Sequence, residues 1–240
     1  MTRIRTPLLQ WAPILLVAPG AFAIGAATMP REAFAAPSAT VLRVYVARHG
    51  QTSWNAMHKL QGHIDTPLDS TGRAQAARLA TLLAGTTFEH VYCSKLTRTR
   101  QTAAILHIAA PIDSMAELNE IGLGKFEGLV TTGPDTATIA EYRRRTADPD
   151  DRLDTGESEN QHLARVTAAL NTIRARHAGG NVLIVGHGGT NKLILRVLLG
   201  LTREQMADFA QANDELYMIE LPAGGPPKLW KLVPPERLKK

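Results

Sequence analysis

The chain has 240 residues, 44% hydrophobic and 20% charged, with 27 Lys+Arg against 22 Asp+Glu and a formal net charge of +5, a composition that fits a globular protein of one large or two small domains. Its sequence pI near 9.6 comes without any run of five basic residues, the densest cluster being Arg143, Arg144 and Arg145. The charge therefore fits a small anionic substrate at least as well as a nucleic acid, and no nucleic-acid partner is expected.

In chain order, "MTRIR" supplies positive charge and "PLLQWAPILLVAPGAFAIGAA" an apolar run followed by small residues, which reads as a secretory signal peptide over 1–35. Gln10, Pro13 and Pro19 interrupt the run, so an N-terminal membrane anchor is only the alternative. Ala21-Phe22-Ala23 and Ala33-Phe34-Ala35 offer small-x-small cleavage sites, the second favoured, leaving a mature chain from Ala36. Cleavage removes Arg3, Arg5, Arg31 and Glu32 and leaves 24 basic against 21 acidic residues, a net charge of +3. The single cysteine, Cys93, excludes an internal disulfide and a thiolate metal cluster. Its place in the strand-like "HVYCS" marks a buried structural thiol. An exported, periplasmic bacterial enzyme that relies on its own core and is not held in the membrane after cleavage is expected.

After a linker at 36–40, "VLRVYVA" (41–47), "FEHVYCS" (88–94), "NVLIVGH" (181–187) and "ELYMIEL" (215–221) read as strands. "STGRAQAARLATLLAG" opens on a cap candidate and closes at Gly85, and helical spacing recurs over 97–109, 136–146, 157–178 and 189–199. Strands alternating with helices of this length predict an α/β domain over 41–222, its mostly parallel sheet covered on both faces, with a tail over 223–240. The turn-rich stretch 118–158 reads as an excursion that covers a site.

Ligands of open α/β sheets sit beyond the carboxyl ends of the strands. One strand ends at Arg48-His49-Gly50, the next runs into "SKLTRTRQTA", and the third ends at Gly186-His187-Gly188-Gly189-Thr190. If these strands are neighbours, two histidines and an arginine converge. Such a set suits phosphoryl transfer: arginine forks bind phosphate oxygens, a neutral imidazole attacks phosphorus, a carboxylic acid protonates the leaving oxygen, and the helix opened by Gly188 and Gly189 offers amides to an anion. Taken singly each piece is ordinary: Arg98 and Arg100 read as a solvated helix face and Glu120 as a surface carboxylate.

The series "RHGQTSWN", "QGHIDTPLDSTGRAQA", "CSKLTRTRQTA", "LNEIGLGKFEG", "TGESENQHLARV" and "VGHGGTNK", in this order, resembles the histidine phosphatase superfamily, also called phosphoglycerate-mutase-like, over 41–221. The resemblance implies a three-layer α/β/α fold, with His49 the nucleophile that becomes phosphorylated and Arg48 beside it on the phosphate oxygens. It implies Arg98 as the second phosphate arginine with Arg100 its bland neighbour, His187 as the second histidine, and Glu120 as the general acid. The acid's pattern is completed by Gly124, Phe126, Glu127 and Gly128, Phe126 standing where tryptophan is common. Asn55, Gln61, Gly62 and Gly188 match pocket positions. No cofactor is implied. His58 and His63 lack compact metal-ligand spacing, so no metal site is expected, and His90, His107, His162 and His177 read as surface or helix-flank residues.

Only 66 residues separate Glu120 from His187, shorter than the insertion of mutases of the resembled family, so hydrolysis of a small phosphomonoester is expected. A phosphoglycerate mutase-type transferase and a non-catalytic phosphate-binding module are the alternatives. Arg143 to Arg145 lie in the covering excursion, where recognition of a second anion competes with a solvated helix face.

Overall fold

A computed structural model describes residues 12–17, 21–24, 41–207 and 209–232. One sheet runs through the molecule: β1 (Ala12–Val17), β2 (Ala21–Ile24), β3 (Val41–Arg48), β4 (His90–Ser94), β5 (Ile112–Met115), β6 (Gly180–Gly186), β7 (Leu216–Pro222) and β8 (Lys228–Leu232), in the order β2-β1-β8-β7-β3-β6-β4-β5. β3, β6, β4 and β5 are parallel, and β7 and β8 extend the sheet antiparallel.

The helices are α1 (Ser53–Ala56), α2 (Ser70–Leu83), α3 (Thr97–Ile105), α4 (Thr136–Ala147), α5 (Glu159–Arg176) and α6 (Gly188–Leu199). Strand alternation divides the core in two, because successive side chains face opposite ways. Val44, Val46, Val182 and Ile184 pack with Val166, Leu170 and Ile173 of α5 and Ile194 and Leu195 of α6. Tyr45, Ala47, Leu183 and Val185 pack with Leu79, Leu82 and Leu83 of α2 and Ala103 of α3. The three-layer α/β/α architecture with a mostly parallel central sheet is therefore present, and β6, buried at every residue, lies at its centre.

The four strands and five long helices read from the sequence are all present. β5 and β8 were not expected: β5 has the burial alternation of a four-residue edge strand, too short to stand out. The sheet also runs past the expected domain end at 222, since β8 pairs with β7 from Leu216↔Leu232 to Glu220↔Lys228. α2 is capped one residue before the expected position, by Asp69, whose Oδ1 accepts from Gly72 N at 2.7 Å. The expected signal peptide lies mostly outside the described residues; within it the β1 and β2 backbones form an antiparallel pair beside β8. Among the described residues no helix is long and apolar enough to cross a membrane.

The excursion is built around a small core of Leu123, Phe126 and Leu153, against which Leu60, Ile121, Leu129 and Tyr142 pack. Phe126 is fully buried there, so at the position where the resemblance puts tryptophan the phenylalanine serves packing.

Candidate active site

Parallel registry sets the site. Arg48 is level with Gly186 across β3 and β6, and Cys93 with Val185 across β4 and β6. The three chain exits therefore open side by side, and His49 N donates to Gly186 O at 3.0 Å. The first exit is pinned where backbones nearly touch: a Cβ on Gly50 would lie 2.2 Å from Gly72 O, and one on Gly72 2.0 Å from Gln51 O. Only glycine fits either place.

His49 and His187 are buried, with ring centroids 5.2 Å apart and planes at 60°. His49 Nδ1 lies 2.7 Å from Gly50 O; a carbonyl only accepts, so Nδ1 carries the proton and Nε2 keeps its lone pair. Burial, then the charges of Arg98 and Arg48, hold the ring well below the ordinary imidazole range, so it is neutral at neutral pH. His187 is held neutral by burial, then by Arg98, His49 and Arg48. Arg98 Nε donates to its Nδ1 at 3.1 Å, which leaves Nε2–H to donate to Ser94 Oγ at 2.8 Å.

Arg98 is only 1% exposed. Its other two nitrogens hold the loop after α1, donating to Ile64 O at 2.9 Å and Gly62 O at 2.8 Å. Gly62 has φ +52°, and a Cβ there would lie 2.1 Å from Glu127 Oε1. Glu127, completing the acid's motif, accepts from His63 N at 2.8 Å and Leu123 N at 3.2 Å. Arg48 donates to Gln211 O at 2.7 Å, while its Nε is buried with no hydrogen-bond partner among the described residues. That orphaned donor suits an anion.

Glu120 stands at the N-terminus of α6: its carboxylate accepts from Gly189 N at 3.0 Å, Thr190 N at 3.1 Å and Ile121 N at 3.1 Å. The amides expected to serve an external anion are thus engaged by the protein's own acid. Gly188 lies against Arg48, a Cβ there meeting Cζ at 3.4 Å. Asn55 and Gln61 are less direct. Asn55 completes the capping box of α1 with Thr52, and buried Gln61 accepts from the hydroxyls of Thr52 and Thr66.

Sequence reading missed the supports. Arg165 donates to both oxygens of Glu157 at 2.6 and 2.7 Å, and to the carbonyls of Glu117 at 2.8 Å, Asn119 at 2.7 Å and Glu120 at 2.9 Å. It clamps the segment that carries the acid. Asn213 Nδ2 donates to His49 O at 2.6 Å, and Asn191 joins Ala47 O to Gln211 Oε1. Arg165 was visible within "TGESENQHLARV", but nothing local revealed its targets.

The histidine readings need one correction. His162, expected at the surface, is 2% exposed, because α5 packs this face against α6. His63 is exposed, and its Nε2 donates to Glu120 O at 2.8 Å. His177 ends α5 and meets Tyr92 OH at 2.8 Å, His90 stacks on Tyr92, and His107 is exposed. Of the arginine triplet, Arg145 is bound to Asp151 and Asp154 and Arg143 and Arg144 are exposed. Among the described residues no cluster of His, Cys, Asp or Glu is placed to hold a metal.

A cavity of about 540 Å³ adjoins the acid, its wall including Gly189, His162, Ile121, Tyr142, Leu153 and Lys192. Arg48, His49, Arg98, Glu120 and His187 lie outside its lining.

The family profile of the histidine phosphatase superfamily (branch 1) matches residues 44–231. Among curated proteins, the chain is 36% identical over 167 residues to the Escherichia coli O1:K1 / APEC protein named "Probable phosphoglycerate mutase GpmB", covering 67% of this chain and 76% of that one. Among solved structures, it resembles the alpha-ribazole phosphatase from Shigella flexneri with TM-score 0.68 and 27% identity, over 80% of this chain and 96% of that one. It also resembles the mycobacterial glucosyl-3-phosphoglycerate phosphatase in complex with VO3, with TM-score 0.65 and 26% identity, over 74% and 92% of the two chains.

Proposed function

The chain belongs to the histidine phosphatase superfamily, and from that premise we propose that it is a metal-independent phosphomonoester hydrolase acting through a phosphohistidine on His49. The observation that carries this reading is the Nδ1 hydrogen bond of His49 to Gly50 O, which leaves a neutral Nε2 lone pair among Arg48, Arg98 and His187. Nε2 attacks phosphorus as the ester P–O bond breaks, and Glu120 gives its proton to the leaving oxygen. Water then attacks the phosphohistidine, Glu120 takes a proton from it, and the P–N bond breaks to release phosphate. The two arginines and His187 stabilise the charge on the equatorial oxygens.

Phosphoglycerate mutase-type transfer is the second reading, favoured by the name of the curated relative. Against it, Arg145 is committed to Asp151 and Asp154 and so is not available for a second anion.

Phosphate release from p-nitrophenyl phosphate in excess chelator, by the full chain and by His49→Ala, tests the proposal. Release that survives chelation and disappears in the variant supports it. A variant as active as the parent, or isomerisation of phosphoglycerate without phosphate release, overturns it.

A further inference from the structure

Each polar main-chain group of His49 and Gly50 is claimed by a different part of the molecule. His49 N donates to Gly186 O at 3.0 Å, and Gly50 O takes the proton of the His49 ring at 2.7 Å. The groups between them are held by side chains that the chemistry above does not use. Asn213 Nδ2 donates to His49 O at 2.6 Å, and Gly50 N donates to Thr102 Oγ1 at 3.0 Å. His49 O and Gly50 N–H belong to one planar peptide and point opposite ways. That plane is therefore gripped from both sides, by α3 through Thr102 and by the turn before β7 through Asn213.

Both grips are themselves anchored. Thr102 is fully buried, and its hydroxyl proton goes to Arg98 O at 2.8 Å, which leaves a lone pair for Gly50 N. The hydroxyl thus ties the nucleophile's peptide to the helical turn that starts at the phosphate arginine. The turn that carries Asn213 is fixed just as closely. Gln211 Nε2 donates to Val46 O at 2.9 Å and to Glu215 O at 3.0 Å, and Ala212 N donates to Glu215 Oε2 at 3.0 Å. The same turn accepts from Arg48 through Gln211 O at 2.7 Å.

The orientation of the gripped plane sets where Gly50 O stands, and Gly50 O fixes the tautomer of His49 and the direction of its Nε2 lone pair. Gly50 has no side chain of its own to hold the plane. We propose that Thr102 and Asn213 are positioning residues that clamp the His49–Gly50 peptide and so keep the Nε2 lone pair aimed at phosphorus. The role deepens the phosphatase reading above and rests on it. Both residues act on the main chain of the nucleophile and through it on the ring.

The test joins steady-state kinetics on p-nitrophenyl phosphate with nitrogen NMR spectra of the histidine rings, which report the protonated nitrogen. The His49 signal is identified by its loss in His49→Ala. Thr102→Val removes the hydroxyl at nearly constant volume, and Asn213→Leu removes the amide donor. In each, kcat is expected to fall about ten- to a hundredfold, the scale of a small misplacement of reacting atoms, with KM within about twofold. The His49 signal, Nδ1-protonated in the parent, should become a mixture of tautomers. Thr102→Ser, which keeps the hydroxyl, should restore both kcat and the parent spectrum. Asn213 is half-buried, so Asn213→Leu decides the matter should Thr102→Val fail to fold. Unchanged kcat, or a loss while the His49 signal stays that of the parent, would overturn the clamp, as would a Thr102→Ser chain as impaired as Thr102→Val. If the parent itself releases no phosphate, the phosphatase reading fails and the spectra alone decide: mixed tautomers in the variants uphold the clamp, and an unchanged His49 signal overturns it.

Discussion

The rings of His49 and His187 meet edge to face at 5.2 Å, each held neutral by burial and by the same two arginines. Two imidazolium ions could not share this space. Only His49 has a lone pair at Nε2, since His187 Nε2 is spent on Ser94. The label from a radioactive phosphomonoester should therefore be trapped on His49 after an alkaline quench. His49→Ala should abolish it, and His187→Ala should keep slow labelling with kcat reduced about 10²–10³. Label on His187 in the parent would refute the assignment.

Arg98→Lys should be far from conservative. The guanidinium joins two carbonyls and an imidazole in one plane, and an ammonium has no such fork. We expect kcat/KM to fall about a hundredfold and stability by about 2 kcal/mol, the scale of leaving buried acceptors unpaired. Steady-state kinetics with denaturant unfolding checks both, and a Lys variant within threefold of the parent would contradict this geometry.

Gly62→Ala adds a methyl where φ is +52° and Glu127 Oε1 is 2.1 Å away. The Glu127 carboxylate must move, releasing His63 N and Leu123 N, and the Arg98 anchor on Gly62 O shifts with it. A loss of about 1–3 kcal/mol is expected, together with weaker activity. Glu127→Ala combined with Gly62→Ala should recover part of the first loss, and full additivity in that cycle would argue against the contact.

Arg165→Met removes donors from three carbonyls and leaves Glu157 unpaired. Because Arg165 acts through the backbone of the acid's segment, kcat should fall more than KM rises, by about tenfold or more, with stability down by about 2 kcal/mol. An unchanged kcat would show that the segment holds Glu120 without the clamp.

Acid should weaken the fold early. His49, His162 and His187 all have folded pKa values well below the ordinary 6.5. Below about pH 6.5 the unfolded chain binds more protons, so stability is full above that pH and declines as pH falls further. Asp151, whose carboxyl Arg145 holds down to about 2, loses its stabilising contribution only at much lower pH. Melting temperatures at pH 7.5, 6.5, 5.5 and 4.5 should decline from the second value onward, and His162→Gln should lessen the decline. A level series would refute three buried neutral histidines.

The sequence by itself determined the elements and the chemistry-bearing residues. Apolar runs with periods of two and of three to four marked β3, β4, β6, β7 and the long helices, because each such pattern fits only one local geometry. The ends of three of those strands carried Arg48, His49, Arg98 and His187. The order of motifs then added Glu120, which no local signal separated from a surface carboxylate.

What only the tertiary structure decided is which groups meet. The adjacency of β3, β6 and β4 brings together residues from chain exits more than 130 positions apart, and parallel registry makes those exits level. His162 looked like a surface residue because a lone histidine in an amphipathic helix has no fixed face until α5 packs on α6. Arg165 could not be distinguished from other helix arginines because its targets are backbone carbonyls, which every residue offers and no side chain encodes. Hydrogen-bond direction is likewise tertiary: the tautomer of His49 depends on the folded position of one carbonyl, and that carbonyl leaves the lone pair on Nε2.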